Sequence, residues 1–271
     1  MLTISAADLL HYHDQGFLIL RQAFTTDRMT SLRDALERLM DRALAGEVEI
    51  GWIDREKRLL QRTGQLFEPA KYDAAYAAWL SDDLDSHLRA LLDGSPRHSL
   101  FGTLASGGGQ PYQQAWHRDL GRPGADEEEA FYHRHHGKFV QFNAPLFPGD
   151  RFLNIVPASH LRSSTDQEIE AAAAGENAVM PGALVVDLEP GDIVYYDANL
   201  WHRGWNPAGV NRWSMHCAFW RADCPVMTHE INQREALLSV GHLDRMPPIA
   251  RQYVQRYLDN IPTEPLSLQD M

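Results

Sequence analysis

Trp116-His117-Arg118-Asp119 is the stretch on which the reading of this 271-residue chain turns. His117 and Asp119 are two residues apart, and in an extended strand that spacing sends both side chains to one face. An imidazole and a carboxylate presented together are two thirds of the facial triad that holds non-haem Fe(II), a set that leaves coordination positions open. The missing member is a second histidine downstream. His202, within Asn199-Leu200-Trp201-His202-Arg203-Gly204, is the candidate, and Arg212 follows ten residues later at the head of the strand-like run Arg212 to Trp220. The pattern H-x-D, distal His, then Arg on the next strand is far more specific than a lone H-x-D. That triplet recurs at His242-Leu243-Asp244, in a polar tail with no histidine after it, and there it reads as surface.

Working outward, Phe139 to Leu146 alternates as a strand. Val140, Phe142, Ala144 and Leu146 form one face, and Gln141 and Asn143 the other. The two amides face either a binding cavity or solvent. Arg212 to Trp220 alternates the same way. Arg212, Ser214 and His216 share a face opposite Trp213, Met215, Cys217 and Phe219, as in a sheet with a polar cavity on one side and a core on the other. Further strands are expected at Gly16–Leu20, Ser99–Ala105, Arg151–Val156, Ala183–Leu188, Asp192–Asp197 and Leu200–Arg203. Helices are expected after Ser5, after Thr25 or Thr26, over Tyr72–Leu92 with a break near Ser81, over Thr165–Gly175, at Ala236-Leu237-Leu238, and over Ile249–Leu258. Many short strands, Pro/Gly turns and no βαβ rhythm indicate a mainly β fold, an antiparallel barrel with surrounding helices.

Two polar stretches flank these elements. Residues 47–70 carry Arg55, Lys57, Arg58 and Arg62, and form either a solvated face or a cover over the barrel mouth. Gly121 to Lys138 holds Asp126-Glu127-Glu128-Glu129 and the histidines His133, His135 and His136. With Arg134 inside the cluster and no acid at ligand spacing, it reads as a surface lid rather than a metal site. Gly107-Gly108-Gly109 lacks the strand-to-helix setting of a phosphate loop.

The formal charge is −12, from 25 basic and 37 acidic residues, which disfavours nucleic-acid or anionic-membrane partners. No apolar run reaches the length of a membrane span, and Met1 to Asp8 carries no signal-peptide pattern. Two cysteines, Cys217 and Cys224, do not make a disulfide framework. A cytoplasmic compartment suits both observations. Length and the absence of linkers or repeats fit a single domain, acting on a small molecule as a monomer or homodimer.

At these residues the chain resembles the phytanoyl-CoA dioxygenase family of Fe(II)- and 2-oxoglutarate-dependent oxygenases. Trp116 to Gly121 is similar to the family's metal motif. Asn154 to His160 is similar to its V-P-G-S-H turn, with Ala158 in place of Gly. Glu189 to Asp197 is similar to the P-G-D strand that leads to the distal histidine. The likeness runs from about Gly102 to Trp220. It implies a double-stranded β-helix (jelly roll, cupin-like) over about 98–222, preceded by a helical part over about 1–95 and followed by a tail over 223–271. It also implies Fe(II) on His117, Asp119 and His202, with 2-oxoglutarate and O2 as co-substrates. Arg212 would clamp the distal carboxylate of 2-oxoglutarate, with Gln141 and Asn143 beside it, and succinate and CO2 would leave as co-products. Some members carry a hydroxyl residue two positions after the distal histidine. Here Gly204 stands there, and Ser214 is the substitute expected. Asp119 is the residue that related halogenases lack, so its presence favours hydroxylation. Trp116, Trp205 and His216 are the substrate-contact candidates, and His160 is expected to be structural. Two alternatives stay open: a cupin-type metalloenzyme that ignores 2-oxoglutarate, and a non-catalytic jelly-roll binding module.

Overall fold

The structure is a computed structural model that describes residues 3–267. Residues 1–2 and 268–271, the outermost ends of the N-terminal stretch and of the tail, lie outside the described residues. The strands are β1 (Phe17–Leu20), β2 (Trp52–Asp54), β3 (Leu59–Leu60), β4 (Pro96–Ser106), β5 (Tyr112–Gln113), β6 (Phe139–Pro145), β7 (Leu153–Ile155), β8 (Leu184–Val185), β9 (Ile193–Asp197), β10 (His202–Asn206) and β11 (Arg212–Arg221). A five-stranded sheet runs β1-β9-β6-β11-β4, and a four-stranded sheet runs β5-β10-β7-β8. Every pairing between these strands is antiparallel. The two sheets enclose the cavity of a jelly roll, with helices packed outside.

The period-two patterns decide which face looks where. On the large sheet Val140, Phe142 and Ala144 of β6, Met215, Cys217 and Phe219 of β11, and Phe101 of β4 point outward into the main apolar cluster. Helices close that cluster: α1 (Ala6–Gln15), α2 (Thr26–Leu44), α3 (Ala74–Trp79) and α4 (Asp85–Leu91). Ser5 caps α1 in a capping box, and Thr25 caps α2. The break expected near Ser81 is a single π-helical turn, Leu80–Leu84, between α3 and α4. Thereafter come α5 (Glu128–His135), α6 (Asp166–Ala173), α7 (Arg234–Leu237) and α8 (Pro248–Asp259). Tyr253, Val254 and Tyr257 of α8 join the same cluster, so the tail helix is part of the main core. Among the described residues no helix is long and apolar enough to cross a membrane.

Two surface readings need correcting. His242, in the second H-x-D, is 1% exposed, and its Nε2 lies 2.7 Å from the Phe67 carbonyl, while only Asp244 is at the surface. The insert at 121–138 is not a free lid. It folds as α5, and Glu128 is buried, holding the Ser164 hydroxyl, the Tyr132 hydroxyl and the Gly124 N–H. The polar pattern concealed this because one buried carboxylate with several donors looks, in a sequence, like any acid of a solvated run.

The Val156-Pro157-Ala158-Ser159-His160 turn docks on the end of α1. Ala158 donates to the Gln15 carbonyl, and His160 Nε2 lies 2.9 Å from the His13 carbonyl. Ala158 has φ +57°, the left-handed region, where a Cβ costs about 1–2 kcal/mol. Glycine relieves that strain but gives back about 0.4–1 kcal/mol of unfolded-chain entropy. Ala158→Gly is therefore expected to stabilise the protein by about 0.5–1 kcal/mol, a rise in Tm of about 1–3 °C with unchanged iron content. A lowered Tm in thermal unfolding would count against the strain.

Candidate metal centre

A backbone bridge assembles the site. His117 N–H donates to the His202 carbonyl at 3.1 Å, and His202 N–H donates back to the His117 carbonyl at 3.0 Å. Asp119 N–H donates to the Ala198 carbonyl at 3.0 Å, so the H-x-D segment lies antiparallel to the approach to His202. The side chains converge as a result. One ligand atom from each of His117, Asp119 and His202 lies within 4.8 Å of the others, the only such group of three among the described residues. His117 Nε2 stands 3.6 Å from Asp119 Oδ1, and His202 Nε2 stands 3.7 Å from Asp119 Oδ2.

The second ring nitrogens show that these are ligand-ready histidines. Nδ1 of His117 donates to the Ala115 carbonyl and Nδ1 of His202 to the Leu200 carbonyl, each at 2.9 Å. Both protons are thereby held on Nδ1, and both Nε2 lone pairs face Asp119. Burial, and then the neighbouring His117, push the His202 imidazole down to about 4, so it is neutral at physiological pH. Gln141 Nε2 donates to Asp119 Oδ2, and the Tyr196 hydroxyl donates to Gln141 Oε1 at 3.4 Å. That pair of bonds sets which end of the amide faces the carboxylate. Two imidazoles, one carboxylate and open space beside them fit a divalent iron held on one face.

Arg118, between two ligands, points the other way, and the sequence carried no sign of its role. Its guanidinium donates to the Ser159 and Asn199 carbonyls, each at 2.6 Å, and lies over the rings of Tyr132 and Trp201. One buried cation thus ties the Ala158 turn, the loop before His202 and α5 to the back of the metal motif.

The ligands open into a cavity of about 360 Å³ between the two sheets. Of the residues singled out from the sequence, Gln141, Asn143, Arg212 and His216 line it together with the three ligands. His216 Nδ1 lies 2.8 Å from Asn143 Oδ1. Arg212 is buried, its Nε donating to Asp150 Oδ2 at 3.0 Å, while its Nη2 has no partner among the described residues. Ser214 shares that strand face but does not reach the lining, and its hydroxyl is enclosed. Trp116 and Trp205 do not line the metal cavity. Trp116 precedes His117 and so faces away, and both rings pack on the Arg203 guanidinium, at 4.6 and 3.9 Å. Gly204 has a steric reason: a Cβ there would stand 2.7 Å from Tyr112 Cε1 and 2.8 Å from Gln114 Oε1. The polar stretch at 47–70 does reach the site, through Arg62 and Gln65.

Asp119→Ala is expected to abolish stoichiometric Fe(II) binding. Gln141→Leu, which removes a hydrogen bond to a ligand but no ligand, is expected to weaken it by roughly ten- to a hundredfold. Anaerobic iron titration by calorimetry reads both, and a Gln141→Leu protein with wild-type affinity would remove the amide from the site's support.

The family model for phytanoyl-CoA dioxygenase (PhyH) matches residues 12–206. No curated protein matches in sequence. Among solved structures, AviO1 from Streptomyces viridochromogenes Tue57 is similar at TM-score 0.58 and 20% identity, over 83% of this chain and 99% of that one. EctD from S. alaskensis, solved with 2-oxoglutarate and 5-hydroxyectoine, is similar at TM-score 0.60 and 16% identity, over 82% of this chain and 78% of that one. The non-haem α-ketoglutarate-dependent carbocyclase SnoK from nogalamycin biosynthesis is similar at TM-score 0.60 and 17% identity, over 96% and 93%. Such likeness establishes the jelly-roll fold, and the family match covers more than half of the chain: the protein belongs to the phytanoyl-CoA dioxygenase family of Fe(II)- and 2-oxoglutarate-dependent oxygenases.

Proposed function

We propose that this protein is a non-haem Fe(II)- and 2-oxoglutarate-dependent dioxygenase that hydroxylates a small molecule, releasing succinate and CO2. The observation that carries the reading is the arrangement of Arg212 relative to the ligands. His117, Asp119 and His202 present their ligand atoms into a cavity that Arg212 also lines, with one guanidinium nitrogen anchored on Asp150 and another without a partner. A buried, pre-oriented guanidinium is suited to accept a carboxylate, the distal group of 2-oxoglutarate. A cupin-type metalloenzyme that ignores 2-oxoglutarate would have no use for that free donor, and a binding module would have no use for two histidines with their Nε2 lone pairs converging on a carboxylate.

Bound iron and 2-oxoglutarate would supply the oxidising chemistry. The residues of the chain perform the remaining tasks. His117, Asp119 and His202 would hold the metal, and Gln141 keeps Asp119 oriented. Arg212 would position the co-substrate. Asn143 and His216, bonded to each other, form a polar wall on the same sheet face. A cavity of about 360 Å³ fits a compact metabolite or natural-product intermediate.

Anaerobic addition of Fe(II) and then 2-oxoglutarate to the wild type is expected to give a visible metal-to-ligand charge-transfer band. Arg212→Ala should weaken it, with co-substrate affinity falling by roughly tenfold or more. No band despite bound iron would exclude the 2-oxoglutarate reading. A substrate found by succinate release should gain one oxygen in mass. A product that only loses two hydrogens would replace hydroxylation by desaturation or ring closure.

A further inference from the structure

The cavity has two ends, and they differ in chemistry. β4 runs along it beside β11, with Arg212 paired to Ser106 at one end and Trp220 paired to Arg97 at the other. The strap after β3 lies on the inner face of β4. Thr63 and Thr103 exchange backbone hydrogen bonds, Leu66 N–H donates to the Phe101 carbonyl at 2.8 Å, and a Cβ on Gly102 would stand 2.7 Å from the Thr63 carbonyl oxygen. That direction puts Arg62 toward the Arg212 end and Gln65 toward the other. Burial first, and then Arg62 and Arg212, push His216 well below the usual histidine range, so positive charge is gathered at the first end.

The second end is built from neutral or neutralised groups. Leu100, Ala218 and Phe139 give it an apolar floor. The tail closes it with the 3-10 segment Thr228–Gln233, which lies outside the residues that the family model matches. Two buried side chains of that segment are occupied in fixing it. Glu230 pairs with both terminal nitrogens of Arg97, at 2.9 and 3.0 Å. Gln233 bonds the His98 ring at 2.8 Å and donates to the Ser99 carbonyl at 2.7 Å. Gln65 donates to Asn232 at 3.0 Å and joins the strap to the tail.

Ser99 stands apart from these occupied groups. Ala218 pairs with Leu100 and Phe219 with His98, so Ser99 is an extra residue on β4, a bulge. Phe101 points into the outer core, and period two alone would send Ser99 the same way. The bulge turns it to the cavity instead. The residue is 5% exposed, and its hydroxyl makes no hydrogen bond with any described residue. Unlike the hydroxyl of Ser214, it is not sealed off. A nearly buried hydroxyl that opens only on a cavity has only the cavity's occupant to bond.

We propose that Ser99 is a substrate-binding residue, and that this end of the cavity receives a compact, uncharged part of the substrate. Its apolar body would rest on Leu100, Ala218 and Phe139, with a hydroxyl, carbonyl or amide group bonded to Ser99. The inference rests on the oxygenase reading above and deepens it by naming the substrate class. The position suits oxidation: Ala218 pairs with Gln141 across the ladder, and Gln141 holds Asp119, so the floor adjoins the metal ligands. A charged group on that floor would meet no enclosed counter-charge, because Glu230 and Arg97 already neutralise each other.

The test is a calorimetric binding panel of compact cyclic alcohols, ketones and amides. Each is paired with the analogue lacking its polar group and with a carboxylate and an amine of the same size. Wild type, Ser99→Ala and Ser99→Thr are compared, all loaded anaerobically with Fe(II) and 2-oxoglutarate and checked by the charge-transfer band. The wild type should prefer the neutral polar compound over its apolar analogue by roughly three- to tenfold. Ser99→Ala should erase that preference, and Ser99→Thr, which keeps the hydroxyl, should retain most of it. Ser99→Ala keeps the backbone bond to Gln233 and should melt at the wild-type temperature. An undiminished preference in Ser99→Ala, tighter binding of the carboxylates or amines, or no binding of any neutral compound overturns the inference. A wild type that shows the Ser99-dependent preference but no charge-transfer band overturns the co-substrate reading alone.

Discussion

Two reciprocal backbone hydrogen bonds, between His117 and His202, are the constraint on which the site depends. They cross the gap between the H-x-D segment and β10, and they are made by backbone, so no side chain is used to set the approach. Each residue then directs its imidazole inward, and Asp119, two positions on, follows from strand period alone. The same geometry sends Arg118 to the far side. There it meets a packed environment of Tyr132, Trp201 and two carbonyls, where a guanidinium can be desolvated without being left unpaired. The front of the motif is therefore free for chemistry because the back is locked.

The large sheet applies the same logic on a broader scale. Its outer face carries aromatic and aliphatic side chains against α2, α3 and α8. Its inner face carries Gln141, Asn143, Arg212 and His216. Burying those polar groups is tolerable only because each has a partner: Asp119 and Tyr196 for Gln141, His216 for Asn143, Asp150 for Arg212. The polar wall is thus a connected set of bonds, and a lost member leaves its neighbour buried and unpaired rather than merely removing one contact.

Much of this was legible in the chain as written. His117, Asp119 and His202 stood out because ligand chemistry demands particular residue types at strand spacing. Gln141, Asn143, Arg212 and His216 stood out because alternation at period two assigns faces without knowledge of the partner strand. What stayed hidden depends on which distant segment arrives opposite. Asp150 lies 62 positions before Arg212, and nothing local marks it as that arginine's counter-ion. Arg118 looks like a spacer between two ligands, Glu128 like part of an acidic run, and His242 like a surface residue. In each, burial came from elements far away in sequence. Trp116 and Trp205 misled in the opposite sense. Aromatic residues flanking a ligand suggest a substrate platform, but here they enclose Arg203.

The two Nδ1–H bonds to Ala115 and Leu200 also bear on how this protein would meet iron in a cell. Backbone carbonyls hold both rings in place on the side away from Asp119, so their orientation does not rest on an ion alone, unlike that of small zinc domains that order only around their ion. The risk is indiscriminate loading. A ready-made set of two imidazoles and a carboxylate also accepts cobalt, nickel or zinc, several of which bind such ligands more tightly than ferrous iron. Which ion fills it is then decided less by the protein than by the metal supply around it.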